Sequence, residues 1–396
     1  MQGGRARLNQ DDTPHMSCAE RITPRQRMLA AYRGQKLDRV PVAPEFWYYL
    51  PARLLGVDMI EFNEIPHWEA LRKTFAYYDC EGWGIVAPVC TASHDFDVRS
   101  ETRRLDEGRF EQRFILPLPD RTLTWSTILD VNEPPWAAER MVKNLDTDWP
   151  IYEAMTLGLN PDWNWQPVRH ALTTVGEAYL LEVFIGMMFL DYVAGNRDGG
   201  IAQAVLDVID REKFFIGIRE RYIDRMCRII REAFRETLAT SVFLCSGFSC
   251  PSLVGPPLFR KWEYPVIEAA ARTAHECGGL LHVHLHGRVM EMTADLPNLG
   301  ADCICPFERP PGGDVTDLHA LRRALGDRVT MNGNVHTVET LIRGTPQDVH
   351  REVLEILEAF AGSARLVVGT GDQVGRETPE ENLFAMIDAV KTFGRF

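Results

Sequence analysis

Residues Leu280–His286 read LLHVHLH, and Gly287 follows. A strand points successive side chains to opposite faces, so a period of two sets His282, His284 and His286 on one side and Leu281, Val283 and Leu285 on the other. The apolar side suits a covering layer of helices, which turns the histidines inward. Seven more short runs rich in β-branched residues stand around it: Arg39–Pro44 (RVPVAP), Gly82–Ala87 (GWGIVA), Ala178–Phe184 (AYLLEVF), Ser241–Ser246 (SVFLCS), Ala301–Glu308 (ADCICPFE), Val329–Val335 (VTMNGNV) and Arg365–Gly371 (RLVVGTG). Amphipathic segments separate them. Residues 66–78 carry Trp68, Leu71, Phe75 and Tyr78 at three- and four-residue spacing, and residues 349–360 repeat the pattern. Helix starts are marked by a hydroxyl before proline, at Thr345-Pro346 and Thr378-Pro379. Eight strands alternating with helices close a parallel barrel. The expected fold is therefore α/β, a single (β/α)8 barrel of the TIM type over residues 21–396.

One segment breaks the rhythm. Residues 96–129 alternate polar and apolar side chains, with turn signals at Glu107-Gly108 and Pro119-Asp120, so they are expected to form an antiparallel hairpin insertion after the second strand. Residues 1–20 have no apolar pattern and are expected to be a flexible tail.

A net charge of −13 over 396 residues, without a basic stripe interleaved with aromatics, argues against nucleic acid as a partner. The most apolar stretch, 178–195, is interrupted by Glu182 and Asp191, which argues against a membrane span. Nine cysteines without CxxC pairs fit reduced thiols, and with no leader pattern at the start the expected location is the cytoplasm.

Function in a barrel collects at the C-terminal ends of the strands. Buried histidines must be hydrogen-bonded or metal-bound, so the inward row is either a core network or a metal or substrate-polarising site. The sixth run ends in Glu308 and the eighth in Asp372, which could join the histidines in an N/O metal site taking zinc first, or iron or manganese. The seventh ends in Asn332-Gly333-Asn334-Val335-His336, where Asn334 and His336 could orient a ligand. After the first run, Glu45 precedes Phe46-Trp47-Tyr48-Tyr49, an aromatic surface for a flat substrate or else core. Two apparent motifs fail. Gly82-Trp83-Gly84 lacks the rest of a dinucleotide fingerprint, and Asp317-Leu318-His319-Ala320-Leu321-Arg322 has arginine where a cobalamin motif needs glycine, so it reads as a helix face.

From Thr23 onward the chain resembles the uroporphyrinogen decarboxylase superfamily, which also contains cobalamin-linked methyltransferases. The resemblance is carried by Thr23-Pro24-Arg25-Gln26-Arg27 with Leu37-Asp38-Arg39-Val40-Pro41-Val42, by His284-Leu285-His286-Gly287 and Gly333-Asn334-Val335, and by Gly344-Thr345-Pro346-Gln347-Asp348-Val349 and Thr378-Pro379-Glu380-Glu381-Asn382-Leu383. It implies a distorted β/α barrel. True uroporphyrinogen decarboxylases carry an arginine-rich segment after the first strand that grips the substrate's carboxylates. Here that stretch is Glu45 to Arg53, acidic and aromatic.

The methyltransferase branch looks closer. Its zinc is held by a His-x-Cys pair and a later cysteine; His284 matches the histidine, whereas His286 and Asp372 stand where the cysteines would be. The resemblance implies His284, His286 and Asp372 as metal ligands, Glu308 as ligand or acid/base, and Asn334 and His336 as orienting groups. Glu45, Trp47, Tyr48 and His282 are expected to line the substrate. The expected reaction is methyl transfer from a small methylated substrate to a thiol or to a corrinoid carried on a separate protein. The alternative is a metal-free decarboxylase in which Asp79 stabilises charge, and a binding barrel without turnover comes last.

Overall fold

The computed structural model describes residues 22–90, 96–158 and 163–396, so the expected tail at 1–20 lies outside the described residues. Eight parallel strands are present where the apolar runs stand: β1 Val42–Ala43, β2 Trp83–Val86, β3 Leu180–Met187, β4 Ser241–Cys245, β5 Leu280–Leu285, β6 Cys303–Pro306, β7 Thr330–Val335 and β8 Leu366–Thr370. Each is flanked by helices on the outside, and the strand order runs β1-β8-β7-β6-β5-β4-β3-β2. This is the circular order of an eight-stranded barrel, with one seam: β1 and β2 do not pair.

A side chain spans that seam. Glu81, just before β2, accepts the Val42 backbone N–H at 3.0 Å, where a neighbouring strand's carbonyl would stand. The same carboxylate takes Arg39 at 2.7 and 2.9 Å and Arg27 at 2.5 Å. β1 pairs with β8 on one side, and on the seam side a charge-assisted bond to Glu81, two residues ahead of β2, stands in for strand pairing.

Alternation along the strands sorts side chains into two cores. Leu281, Val283 and Leu285 join the large cluster between sheet and helices. The opposite faces, among them Ala43, Trp83, Leu180, Phe243, Cys303, Cys305 and Val367, form a separate core inside the barrel. Helix Pro24–Arg33 adds Met28, Leu29 and Tyr32 to this inner core and so stoppers the N-terminal end. It is held there by Thr330 Oγ1 donating to Ala31 O at 2.7 Å and Arg365 donating to Tyr32 O at 2.7 Å. Its start is set by a capping box between Thr23 and Gln26 and its end by Gly34 in the left-handed region.

The insertion is antiparallel, as its alternation indicates, but it runs further than 96–129. Four strands, Arg99–Arg104, Arg109–Pro117, Thr122–Asp130 and Trp136–Glu139, form one sheet in sequence order. The last strand was illegible because it is four residues long and follows Glu133-Pro134-Pro135. A second short antiparallel pair, Val89–Cys90 with Trp163–Asn164, was likewise not anticipated. The sheet is tied back to the barrel rim where Arg376 meets Glu133 at 2.9 Å and lies over the Tyr49 ring at 4.7 Å.

Thr345 caps helix Pro346–Ala359 as expected, whereas the last helix begins one residue late, at Glu380, with Pro379 as its cap and no side-chain bond from Thr378. Asp317 caps helix Leu318–Leu325, in keeping with its reading as an ordinary helix. The apolar stretch 178–195 becomes β3 and nearly all of helix Phe189–Asn196, and among the described residues no helix is long and apolar enough to cross a membrane.

Candidate active site

All three histidines of the fifth strand face inward, at increasing height. His282 is fully buried, His284 is nearly so, and His286, just past the end of β5, is partly exposed at the mouth. Each finds a partner, and together they form one file through the barrel. His282 Nδ1 lies 2.8 Å from Glu182 Oε2 and 3.1 Å from the Tyr32 hydroxyl. Its Nε2 is 3.1 Å from Cys305 Sγ, which is also 3.1 Å from His284 Nδ1. His284 Nε2 is 2.7 Å from His286 Nε2, and His286 Nδ1 is 3.4 Å from Glu308 Oε2.

One assignment of protons satisfies every link from Glu182 to Glu308. His282 donates from Nδ1 to Glu182, the Cys305 thiol donates to His282 Nε2, and neutral His284 donates from Nδ1 to the sulfur. A protonated His286 then donates at one end to His284 Nε2 and at the other to Glu308. The electrostatics agree. Burial, with the neighbouring His286 and His282, pushes His284 well below the usual range and keeps it neutral. Burial also opposes charge on His286, but the hydrogen bond to Glu308 and the charges of Asp372, Glu308 and Glu45 outweigh it and hold the imidazole at about 9.

Three carboxylates from three strand ends face this file. Glu45, after β1, is buried. It is fixed by its backbone, with N donating to Thr370 Oγ1 at 3.0 Å and O accepting from Val374 N at 2.9 Å, and by its side chain, which accepts from Trp47 Nε1. Burial and the nearby Asp372 push its carboxyl up to about 8. Asp372, after β8, is raised by burial against the pull of His286 and accepts from the Gln373 N–H at 2.6 Å. Burial works against the charged form of Glu308, after β6, yet His286 and the Gly287 N–H at 2.5 Å hold it below the usual range. His284, His286 and Asp372 offer ligand atoms within 4.8 Å of one another, and so do Glu45, His284 and Cys305.

The crowding of Glu45 makes a testable statement about stability. Its folded value of about 8 lies above the ordinary 4.5. The folded state therefore prefers the protonated carboxyl, and that stabilisation is complete below about pH 4.5 and lost as pH rises through 8. In metal-free protein, Glu45→Gln should leave the melting temperature unchanged at pH 5 and raise it by several degrees at pH 9. Equal melting temperatures at pH 9 would refute the assignment.

The family model for uroporphyrinogen decarboxylase (URO-D) matches residues 192–393, which hold β4 to β8 and every member of the file except Glu182 and Tyr32. The chain belongs to the uroporphyrinogen decarboxylase family. A uroporphyrinogen decarboxylase of Coxiella burnetii (strain RSA 493 / Nine Mile phase I) is 30% identical over 148 residues, 36% of this chain and 38% of its own length. Another, from Methylococcus capsulatus, is 35% identical over 78 residues, 20% of this chain and 22% of its own. The chain thus spans well under half the length of the curated relatives it matches. Among solved structures, a methyltransferase from Methanosarcina mazei superposes with a TM-score of 0.64 at 17% identity, covering 94% of this chain and 99% of that one, a likeness of fold.

Within this barrel the expected site residues divide. His284, His286, Asp372 and Glu308 come together at the mouth, with buried Glu45 against the inner side of His284. His282 does not line the mouth: it lies a layer lower, with both ring nitrogens engaged. Trp47 stacks on His67 at 5.3 Å and packs edge-on against Trp83 at 5.4 Å, so it clamps Glu45 with part of its surface still open. Tyr48 is half-buried beside Phe62 and His67, while Phe46 is core.

Asn334 is buried, donates to Phe307 O at 2.9 Å, and its Oδ1 has no partner among the described residues. His336 caps the helical turn Thr337–Ile342 through Nδ1 and contacts Pro310 O through Nε2 at 2.9 Å, so both its nitrogens are committed. Asp79 is not brought to the others. It ends helix His67–Tyr78 ahead of β2, exposed and paired with Lys391 at 2.5 Å, at the opposite end of the barrel. Position before a strand, rather than after it, was the signal that placed it there.

Sequence reasoning missed Cys305, Glu182 and Tyr32. Cys303 and Cys305 have the same period-two spacing as the histidines, which would have turned Cys305 inward beside His284.

Proposed function

We propose that this chain is a metal-assisted methyltransferase or demethylase that takes a methyl group from a small methylated substrate and passes it to a thiol or to a corrinoid held on a separate protein. The observation that carries the reading is the set of two imidazoles and a carboxylate converging at the mouth, His284, His286 and Asp372, with ligand atoms within 4.8 Å. These donors fit zinc, and also iron or manganese. Such an ion, when bound, would polarise the substrate's heteroatom and make it a better leaving group.

The chain's own groups supply the rest. Glu308, kept ionised against His286, holds that ring's orientation and is placed to take or give a proton at the mouth. Asn334 presents a buried, unpartnered oxygen that a substrate donor would satisfy. Trp47 and Tyr48 give an aromatic wall. The methyltransferase of Methanosarcina mazei, which shares the fold, supports the same branch of chemistry.

The names of the curated relatives favour decarboxylation as a second reading. Against it stands the stretch after β1, where an acid and aromatics replace the positive charge that a polycarboxylate would need, and the exclusion of Asp79 from the mouth. The test is a paired turnover assay. Protein reconstituted with zinc, iron or manganese should methylate reduced cobalamin or a thiol from a panel of methylated amines, alcohols, thioethers and aryl ethers. Carbon dioxide release from a porphyrinogen without methyl transfer from any donor would overturn the proposal.

A further inference from the structure

His284 has two ring nitrogens, and they face two different donor sets. Nε2 looks to the mouth, 2.7 Å from His286 Nε2. Nδ1 looks into the barrel, 3.1 Å from Cys305 Sγ and 3.9 Å from Glu45 Oε1. His284 and Cys305 are register partners on adjacent strands, so backbone pairing holds the thiol beside the ring. Glu45 is fixed independently by Thr370, Val374 and Trp47. A tetrahedral ion with bonds of about 2.0–2.3 Å spaces its ligand atoms by roughly 3.3–3.8 Å, and 3.1 and 3.9 Å bracket that spacing.

We propose that Glu45, His284 and Cys305 form a second cation position, one layer below the mouth triad and suited to a thiophilic divalent ion such as zinc. It shares His284 with the site of the proposed function and otherwise stands apart from it. All three ligands are buried, whereas His286 and Asp372 are partly exposed. The two positions differ in chemistry as well as depth. The mouth triad is nitrogen and oxygen only, while the deeper one adds sulfur, which selects zinc or cobalt over manganese or magnesium.

Binding is a proton exchange with no change of oxidation state. The Cys305 S–H and the Glu45 carboxyl would each give up a proton as the metal–sulfur and metal–oxygen bonds form, and the His284 proton would move from Nδ1 to Nε2, which frees the Nδ1 lone pair for the metal. With both positions filled, the remaining ring proton of His284 and one proton of His286 would leave as well, so that each imidazole could serve the ions it faces.

Cobalt(II) titration of metal-free protein separates the two sites by spectrum. Wild type should take up two equivalents and develop a near-ultraviolet cobalt–thiolate charge-transfer band. Cys305→Ser should abolish the band and retain one equivalent, while a His286→Ala, Asp372→Ala double variant should keep the band and lose the other. Zinc-edge X-ray absorption of the wild type alone, which needs no variant to fold, should show a sulfur shell that averages half a neighbour per zinc when both positions are filled. Cobalt binding without a thiolate band, or a band that persists in Cys305→Ser, would overturn the deeper site and leave the mouth reading intact. Failure of wild type to bind any cobalt would overturn both.

Discussion

Replacing His284 with Ala should strip the protein of bound metal and lower turnover at least ~10-fold, the effect expected even for changes one shell out from a metal. His284 is the one side chain common to both candidate ligand sets, so no other single substitution should cost as much. Asp372→Asn, which keeps the shape and removes the charge, should weaken the mouth site and spare the deeper one. Structure should largely survive in both variants, because the barrel is held by backbone pairing along all but one seam, by Glu81 at that seam and by two apolar cores rather than by an ion. Metal analysis of protein purified without chelators, run beside thermal melts, reads the two effects separately. Stoichiometric metal in His284→Ala would remove the histidine from the ligand set and return it to a core role.

The largest effect on stability should come from the opposite end of the barrel. Glu81→Ala should destabilise the fold by about 3–5 kcal/mol, because it leaves two buried guanidinium groups short of the carboxylate they share. Arg27, Arg39 and Glu81 are all nearly inaccessible. For a chain of this length the loss corresponds to a fall in melting temperature of roughly 4–6 °C, scaled from the average unfolding entropy per residue. The same substitution removes the acceptor for the Val42 N–H at the one seam where strands do not pair. Amide exchange at Val42 should therefore accelerate more than exchange at β5 or β7. A melting temperature within a degree of wild type would show that the seam is held by packing alone.

Much of this was legible along the chain. The number of strands, their parallel order and the inward turn of three histidines follow from spacing and alternation in segments such as 280–286 and 329–335, because a period of two and the alternation with helices leave few other arrangements. The acids at Glu45, Glu308 and Asp372 were locatable too, since each follows a strand and so lies at the C-terminal rim. The resemblance carried by His284-Leu285-His286-Gly287 pointed to the same face.

Tertiary structure decided what meets what. Alternation tells which face a side chain takes but not its neighbours in the next strand, and only the register of β5 against β6 sets Cys305 beside His284. Glu45 depends on contacts 325 residues away at Thr370, a distance across which no local pattern speaks. His282 and His286 share one face by sequence, yet height within the barrel makes one a buried link and the other a charged group at the mouth. Asp79 and Glu81 lie two residues apart, and burial alone separates them: one is a solvated partner of Lys391 and the other the clasp of the barrel's seam. Charge needs desolvation and a fixed partner to do work, and both are properties of the folded chain.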